Sequence, residues 1–380
     1  MTKKPSYRFT GFEDEWEQQK ASEIFYSVSD KNHVDLPVLS ASQEFGMVKR
    51  DEIGIDIKYD KASVKTYKRV KPGQFVIHLR SFQGGFAHSY IEGITSPAYT
   101  VLDFSKSDKH FDLFWKEVFT SQNFIKRLET VTYGIRDGRS ISFSDFSSLK
   151  LQFSSFPEQI AIGSFFQNID QLISLQQRKL EVLKEQKKTY LKLLFPVKGQ
   201  TKPGLRFAGF EDDWKEVKLG EYCDIVTGKL DANAMVVDGE YDFYTSGIQK
   251  YKIDVAAFEG PAITIAGNGA TVGYMHYADG KFNAYQRTYV LSNFLVDRSF
   301  IYSEIGRKLP SKIQQEARTG NIPYIVMDML TKLDICLPSL PEQEYIGAFF
   351  QDLDKAIAKQ EEKINQLKES KQTLLRKMFI

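Results

Sequence analysis

Cysteine is nearly absent: Cys223 and Cys336 are the only two in 380 residues. With no Cys-x-x-Cys and no Cys/His ligand spacing, neither a disulfide framework nor a zinc site is expected. Long apolar runs are missing too. Stretches such as "YLKLLF" fall far short of the roughly 20 residues that cross a bilayer, and "MTKKPSYRFT" lacks a signal peptide's apolar segment. A cytoplasmic chain is the expectation. An excess of either charge is also lacking, because 51 Lys and Arg face 49 Asp and Glu for a net charge of +2. Affinity for nucleic acid would therefore have to come from local organisation. With 42% hydrophobic and 26% charged residues the chain is not disordered, and its length allows two domains with cores of their own.

Catalytic constellations are the last absence. "NIPY" at Asn321 to Tyr324 is similar to the Asn-Pro-Pro-Tyr with which amino-methyltransferases hold a flipped base, but Ile322 replaces the first proline and the other half of the chain has no counterpart. "GNGATVG" from Gly267 is not GxGxxG and leads toward "YMHY" rather than into a helix, so a hairpin turn is expected instead of a phosphate cradle. His88 and His276 recur in "GFAH" and "GYMH" without a surrounding Cys, Asp or Glu cluster, which points to structural histidines. No Ser/His/Asp or paired-carboxylate set stands out. These absences argue against an enzyme acting alone, and no cofactor or metal is expected.

What is present is a repeat. "PEQIAIGSFFQNIDQLISLQQRKLEVLKEQKKTYLKLLF" runs from Pro157 to Phe195, and "PEQEYIGAFFQDLDKAIAKQEEKINQLKESKQTLLRKMF" runs from Pro341 to Phe379, 184 residues on, with about half the positions identical and no gap. A shorter element also recurs: "RFTGFEDEW" ends at Trp16 and "RFAGFEDDW" at Trp214. The chain is a tandem duplication with pseudo-twofold character.

Each long copy predicts a helix, with proline, Glu and Gln suited to its first turn. Pro196 and Gly199 end the first copy. Ile162, Phe166, Ile169, Ile173, Gln176, Leu180, Leu183, Lys187, Tyr190 and Leu194 alternate steps of four and three. So do Ile346, Phe350, Leu353, Ile357, Gln360, Ile364, Leu367, Lys371, Leu374 and Met378. Such a heptad seam on a charged helix needs a partner helix, and the nearest is the other copy. An intramolecular antiparallel pair is expected, with pairing between chains the alternative. Each helix would be roughly 58 Å long at ~1.5 Å per residue.

Between these elements lie two weakly similar segments. "FVIHL", "YTVL", "AITIA" and "TYVL" read as strands, while "KHFDLFWKEVFTSQNFIKRLET" and "RSFIYSEIGRKLPSKIQQEA" read as amphipathic helices. Mixed α/β units with divergent loops suggest one scaffold bearing two surfaces. Those loops are rich in groups able to read base edges and phosphates: Lys65, Lys68, Arg69 and Lys71 beside Tyr67; Arg80, Ser81 and Gln83; Arg136 and Arg139. In the second half they are Ser246, Gln249, Lys250, Asn268, Gln286, Arg287, Arg318 and Asn321. Arg or Lys to guanine and Asn or Gln to adenine are the expected pairings.

Taken together, "FPEQ" or "LPEQ" leading "IGSFFQNID" or "IGAFFQDLD", the heptad helix, "RFAGFEDDWKEVKLG" and the whole unit again resemble the specificity (S) subunit of type I restriction-modification systems. The resemblance covers essentially the entire chain. It implies an α/β (α+β) fold with two globular target recognition domains, residues 1–156 and 203–340. They are separated by spacer helices at 157–195 and 341–380 that form an intramolecular antiparallel coiled coil, with a linker at 196–202. It further implies that each domain reads half of a bipartite double-stranded DNA site and that the helices set the gap and dock two methyltransferase (M) subunits. Those partners would bind S-adenosylmethionine and methylate adenine, and restriction (R) subunits would add ATP-driven translocation and cleavage. The family has no universal base-reading motif, so the contact residues above rest on residue type alone. A self-sufficient DNA adenine methyltransferase and a coiled-coil scaffold that binds no DNA are the alternatives.

Overall fold

The structure, a computed structural model, describes residues 4–42, 45–53, 63–78, 85–131, 141–316 and 323–379. The chain forms two units, one of residues 1–177 with 363–380 and the other of residues 178–362. The division falls inside the long helices rather than at their starts, so each unit owns part of both.

In the first unit, β1 (Glu17–Lys20) passes through a helical turn, α1 (Ala21–Ile24), into β2 (Phe25–Val28). A hairpin of β3 (Leu39–Ser42) and β4 (Gly46–Lys49) follows, then β5 (Lys68–Val70) paired with β8 (Gly93–Thr95). The main sheet is antiparallel in the order β2-β9-β6-β7, with β6 at Phe75–Ile77, β7 at Phe86–His88 and β9 at Thr100–Phe104. Helices α2 (Asp112–Thr120), α3 (Gln122–Val131) and α4 (Phe143–Ser148) lead to β10 (Lys150–Phe153), which returns to pair with β1. The helix α5 (Phe156–Leu193) then begins.

The single amphipathic helix expected across "KHFDLFWKEVFTSQNFIKRLET" is thus two. Ser121 takes an extended backbone, and its hydroxyl accepts from the Phe124 amide at 3.3 Å while donating to the Val118 carbonyl at 2.7 Å. A serine that satisfies the first free N–H groups of the next helix favours a break there.

The second unit repeats the plan. β11 (Lys215–Lys218) pairs with β20 (Asp334–Leu337) as β1 pairs with β10. A main sheet of order β12-β19-β16-β17 is built from Asp224–Thr227, Thr288–Ser292, Ala262–Ala266 and Met275–Ala278. This unit adds a second four-stranded sheet, β14-β13-β18-β15, from Lys250–Ile253, Tyr241–Tyr244, Lys281–Ala284 and Phe258–Glu259. Helices α6 (Arg298–Glu316) and α7 (Met327–Thr331) precede β20 and then α8 (Leu340–Met378).

The repeated motifs meet in the same way in both units. Arg8 of the first "RF" grips Glu158 of the first "PEQ" with two nitrogens at 2.6 and 2.7 Å, and Arg206 grips Glu342 with both distances 2.7 Å. Glu158 and Glu342 are fully buried. Hydrogen bonding to Glu158 raises the Arg8 pKa above its usual value, and Glu342 does the same for Arg206, so both guanidinium charges are secure. The adjacent glutamines tie backbone: Gln159 accepts from the Phe111 amide and donates to the carbonyls of Lys109 and Ser154, while Gln343 accepts from the Asp297 amide and donates to the carbonyl of Pro338. Gly163 and Gly347 let each long helix rest on the start of a domain helix. A Cβ there would come within 2.7 Å of the Phe114 nitrogen or 2.8 Å of that of Phe300.

Aromatic side chains close each core. Trp16 packs edge-on against Phe114 and Phe379 in the first unit, and Trp214 against Phe195 and Phe300 in the second. Phe379 and Phe195 are the last residues of the two long repeats. The first unit is therefore completed by the end of α8, and the Tyr7 amide donates to the Lys377 carbonyl at 3.0 Å.

Within each unit the long helices run antiparallel. In the first, Phe166 lies against Phe379 and Asp170 bonds Lys371 at 2.6 Å; in the second, Tyr190 lies against Phe349 and Lys187 bonds Asp354 at 2.5 Å. The expected seam is the shielded stripe of both helices, since none of its positions is classed as exposed. Lys371 also meets buried Glu117 at 3.3 Å.

Two predictions follow from this packing. Glu158→Gln should destabilise the first unit by about 3–5 kcal/mol, the usual cost of stranding one member of a buried ion pair, and the double change Arg8→Met, Glu158→Leu should recover most of it. Urea unfolding midpoints of the three chains check this. His110 is buried against Phe104, Trp115 and Phe153, and burial pushes its pKa down to about 4. Because the folded state resists protonation, stability is complete above the unfolded value of about 6.5 and is lost as pH falls toward 4. Unfolding at about pH 5 should show a loss of about 2 kcal/mol relative to about pH 7.5, and His110→Gln should flatten that dependence.

Candidate nucleic-acid interface

The main sheets place two equivalent hairpins, β6–β7 and β16–β17. Both stems are closed by backbone hydrogen bonds, His78 amide to Gly85 carbonyl at 3.1 Å and Gly273 amide to Ala266 carbonyl at 2.8 Å. The turn expected at "GNGATVG" is the tip of the second. Arg80, Ser81 and Gln83, which fall between β6 and β7 in sequence, lie outside the described residues, as do Arg136, Arg139, Arg318 and Asn321.

Among the remaining candidates of the first unit, residue type proves a poor guide to available charge. Lys65 and Lys71 are exposed. Lys68 instead donates to the Tyr99 carbonyl at 2.6 Å, and burial, followed by the nearby Lys31 charge, lowers its pKa. Arg69 bonds Glu92 through Nε at 2.7 Å and approaches Asp30 at 3.5 Å; the hydrogen bond to Glu92 chiefly raises its pKa. Two of the four clustered cations are thus engaged within the fold.

The second unit gathers its candidates. Ser246 follows β13 and donates its hydroxyl to Oδ1 of Asn268, at the hairpin tip, at 2.5 Å. The Ser246 carbonyl in turn accepts from the Thr271 hydroxyl, and Nε2 of His276 lies 3.5 Å from the Gly247 carbonyl. Burial lowers the His276 pKa. Asn268 also forms a backbone bridge with Tyr324, whose neighbour Ile325 donates to the Gly267 carbonyl at 2.7 Å. The Arg287 carbonyl accepts from Gly267 at 2.9 Å, and its side chain is exposed. Gln249 and Gln286 are exposed nearby in sequence, as is Lys250, with Asp242 at 3.7 Å and the Tyr244 ring at 5.4 Å.

Ser246, Asn268 and the backbone of Arg287 are therefore brought together from three separate loops. Thr271 and Tyr324 complete the cluster without having been singled out as contacts; the only sequence signal for Tyr324 was the "NIPY" stretch. His88 is occupied otherwise, its Nε2 lying 2.8 Å from Asp112 at the start of α2. Among the described residues, no His, Cys, Asp and Glu side chains converge as a metal site, and no helix is long and apolar enough to cross a membrane.

Two duplicated α/β units bearing unlike loops, each locked to antiparallel helices, define a tandem-repeat class of architecture. Residues 211–369 match the family model of the type I restriction modification DNA specificity domain. Over part of its length the chain is similar to type I restriction enzyme specificity subunits. It is 40% identical over 164 residues to the EcoDI specificity subunit of Escherichia coli, covering 43% of this chain and 36% of that one. To the MjaVIII specificity subunit of Methanocaldococcus jannaschii it is 23% identical over 274 residues, 60% of this chain and 61% of the relative. The matched stretches thus span about a third and three fifths of those relatives' lengths. In fold, the S subunit of the M. genitalium type I system superimposes with a TM-score of 0.69 at 16% identity, covering 99% of each chain. A structure from work on assembly and conformational transition of the type I R-M system gives 0.55 at 15% identity over 98% of this chain and 99% of the other.

Proposed function

We propose that this chain is the DNA specificity subunit of a type I restriction-modification complex, a non-catalytic reader of a bipartite double-stranded site. The observation that carries this reading is the duplication of one scaffold with different surfaces. Sheet order, the Arg–Glu lock, the paired glycines and the Trp–Phe closure are the same in both units, while the sequences between those shared features differ. A site of two unlike halves calls for two unlike readers on like supports. The specificity-domain match over residues 211–369 supports the same reading.

In this reading each unit presents the loop side of its main sheet to a major groove. Lys65, Lys71, Gln249, Lys250 and Arg287 supply phosphate or base contacts, as do the candidates that lie outside the described residues. The helices α5 and α8, of 38 and 39 residues, set the gap between half-sites and dock two methyltransferase subunits. Those partners supply the chemistry on an adenine flipped out of the stack, and restriction subunits join the full complex. Phosphate contacts release counterions, so binding weakens with salt.

Replacing residues 21–150 with the corresponding domain of a relative, in complex with a type I methyltransferase subunit, should change one half of the methylated motif and leave the other intact. Change in both halves, read by methylome sequencing, would sink the two-reader assignment. Inserting one helical turn of about four residues, ~6 Å, into both α5 and α8 should widen the unread gap by about one to two base pairs at ~3.4 Å each; an unchanged gap would show that the helices do not set it.

A further inference from the structure

We infer that Asn268 is a specificity-determining residue that reads a hydrogen-bond acceptor on a base edge and rejects cytosine. This rests on the reading of the second unit as a DNA reader. Asn268 stands at the tip of the β16–β17 hairpin between two glycines that the geometry requires. A Cβ on Gly267 would come within 2.2 Å of the Arg287 carbonyl oxygen, and Gly269 has a φ of +86° with open space where a Cβ would point. The glycine before the asparagine seats the tip against the neighbouring strand, and the one after it turns the chain away and clears room for a close approach.

An asparagine side chain carries both a donor and an acceptor, so what it reads depends on which end faces outward. Here the oxygen is committed: Ser246 donates to Oδ1 at 2.5 Å. Ser246 is itself held from two sides, through its carbonyl by Thr271 and through the next residue by His276. Asn268 is partly exposed, and among the described residues no group accepts from its Nδ2. The tip therefore offers an N–H donor on a backbone that its neighbours prevent from turning. In the major groove, adenine and guanine present N7, guanine O6 and thymine O4 as acceptors, whereas cytosine presents only its N4 amino donor. A fixed amide donor bonds to any of the first three and meets cytosine donor to donor. Ser246, Thr271 and His276 act here as positioning residues.

The test uses the full chain in complex with a type I methyltransferase subunit, with the methylated motif read by methylome sequencing. Asn268→Ala should make one base position of one half-site degenerate, with cytosine accepted about tenfold or more readily, and leave the other half-site unchanged as a control for folding. Asn268→Asp replaces the donor with an acceptor and should turn that position toward cytosine. Ser246→Ala, which only frees the amide to rotate, should relax the same position without removing it, and it decides the matter if Asn268→Ala yields no methylated DNA. An unchanged motif in these variants, or degeneracy spread over a whole half-site, overturns the assignment. Exchange of residues 215–337 for those of a relative is run alongside. If that exchange alters the half-site while the Asn268 and Ser246 variants do not, only this assignment falls; if the exchange itself alters nothing, the reading of the second unit as a reader falls.

Discussion

A carboxylate buried without water must be matched by a cation of suitable shape, and in this protein that demand is met twice. Glu158 and Glu342 are fully shielded at the starts of the long helices, and each is held by both forks of an arginine that begins its half of the chain. Guanidinium suits this role because it is planar, always charged and bidentate. The pairing ties the opening motif to the first turn of the helix. That fixes the angle at which the helix meets the sheet, and the glutamine, glycine and phenylalanine that follow can then find the same neighbours in each unit. Lys or Gln in place of either arginine would lose the fork and leave the carboxylate's second oxygen unmet.

The second constraint is hydrophobic. The first unit does not finish its core from one continuous segment, since Trp16 waits for Phe379, whereas Trp214 finds Phe195 within its own continuous segment. The first unit thus draws residues from both extremes of the described chain, with Leu375, Met378 and Phe379 all buried in it. The lysines of the seam, odd by composition at positions where a coiled coil prefers apolar residues, are explained by the same arrangement. Lys371 meets Asp170 and Glu117, and Lys187 meets Asp354. In the first unit the additional contact to buried Glu117 makes this junction more polar than its counterpart.

The helices and their seam were legible because a 3.5-residue period survives without knowledge of the partner. Strands such as "AITIA" and "TYVL" were legible as β-branched and aromatic runs. The break at Ser121 was not, because a serine in an amphipathic pattern can face solvent or cap a helix, and only the chain's turn decides. The candidate interface was legible in part. Ser246 and Asn268 were picked by residue type, and the fold hydrogen-bonds them. Lys68 and Arg69 were picked on the same grounds as Lys65, yet they are engaged by Tyr99, Glu92 and Asp30, partners that lie from 23 to 39 residues away.

Sequence by itself determined the duplication, the two heptad helices, the mixed α/β character of the segments between them and the family resemblance, since these depend on periodicity and on repetition along one chain. Tertiary structure decided why the repeated residues are there and which polar groups face outward. "RF" and "PEQ" repeat because they are two ends of one buried ion pair, and "IG" because a helix backbone must approach another within the width of a methyl group. Asn268 presents its donor because a serine from the loop after β13 occupies its acceptor. Hydrogen bonds and ion pairs are short-ranged and directional, so whether a side chain is spent or available depends on groups that only folding brings within about 3 Å.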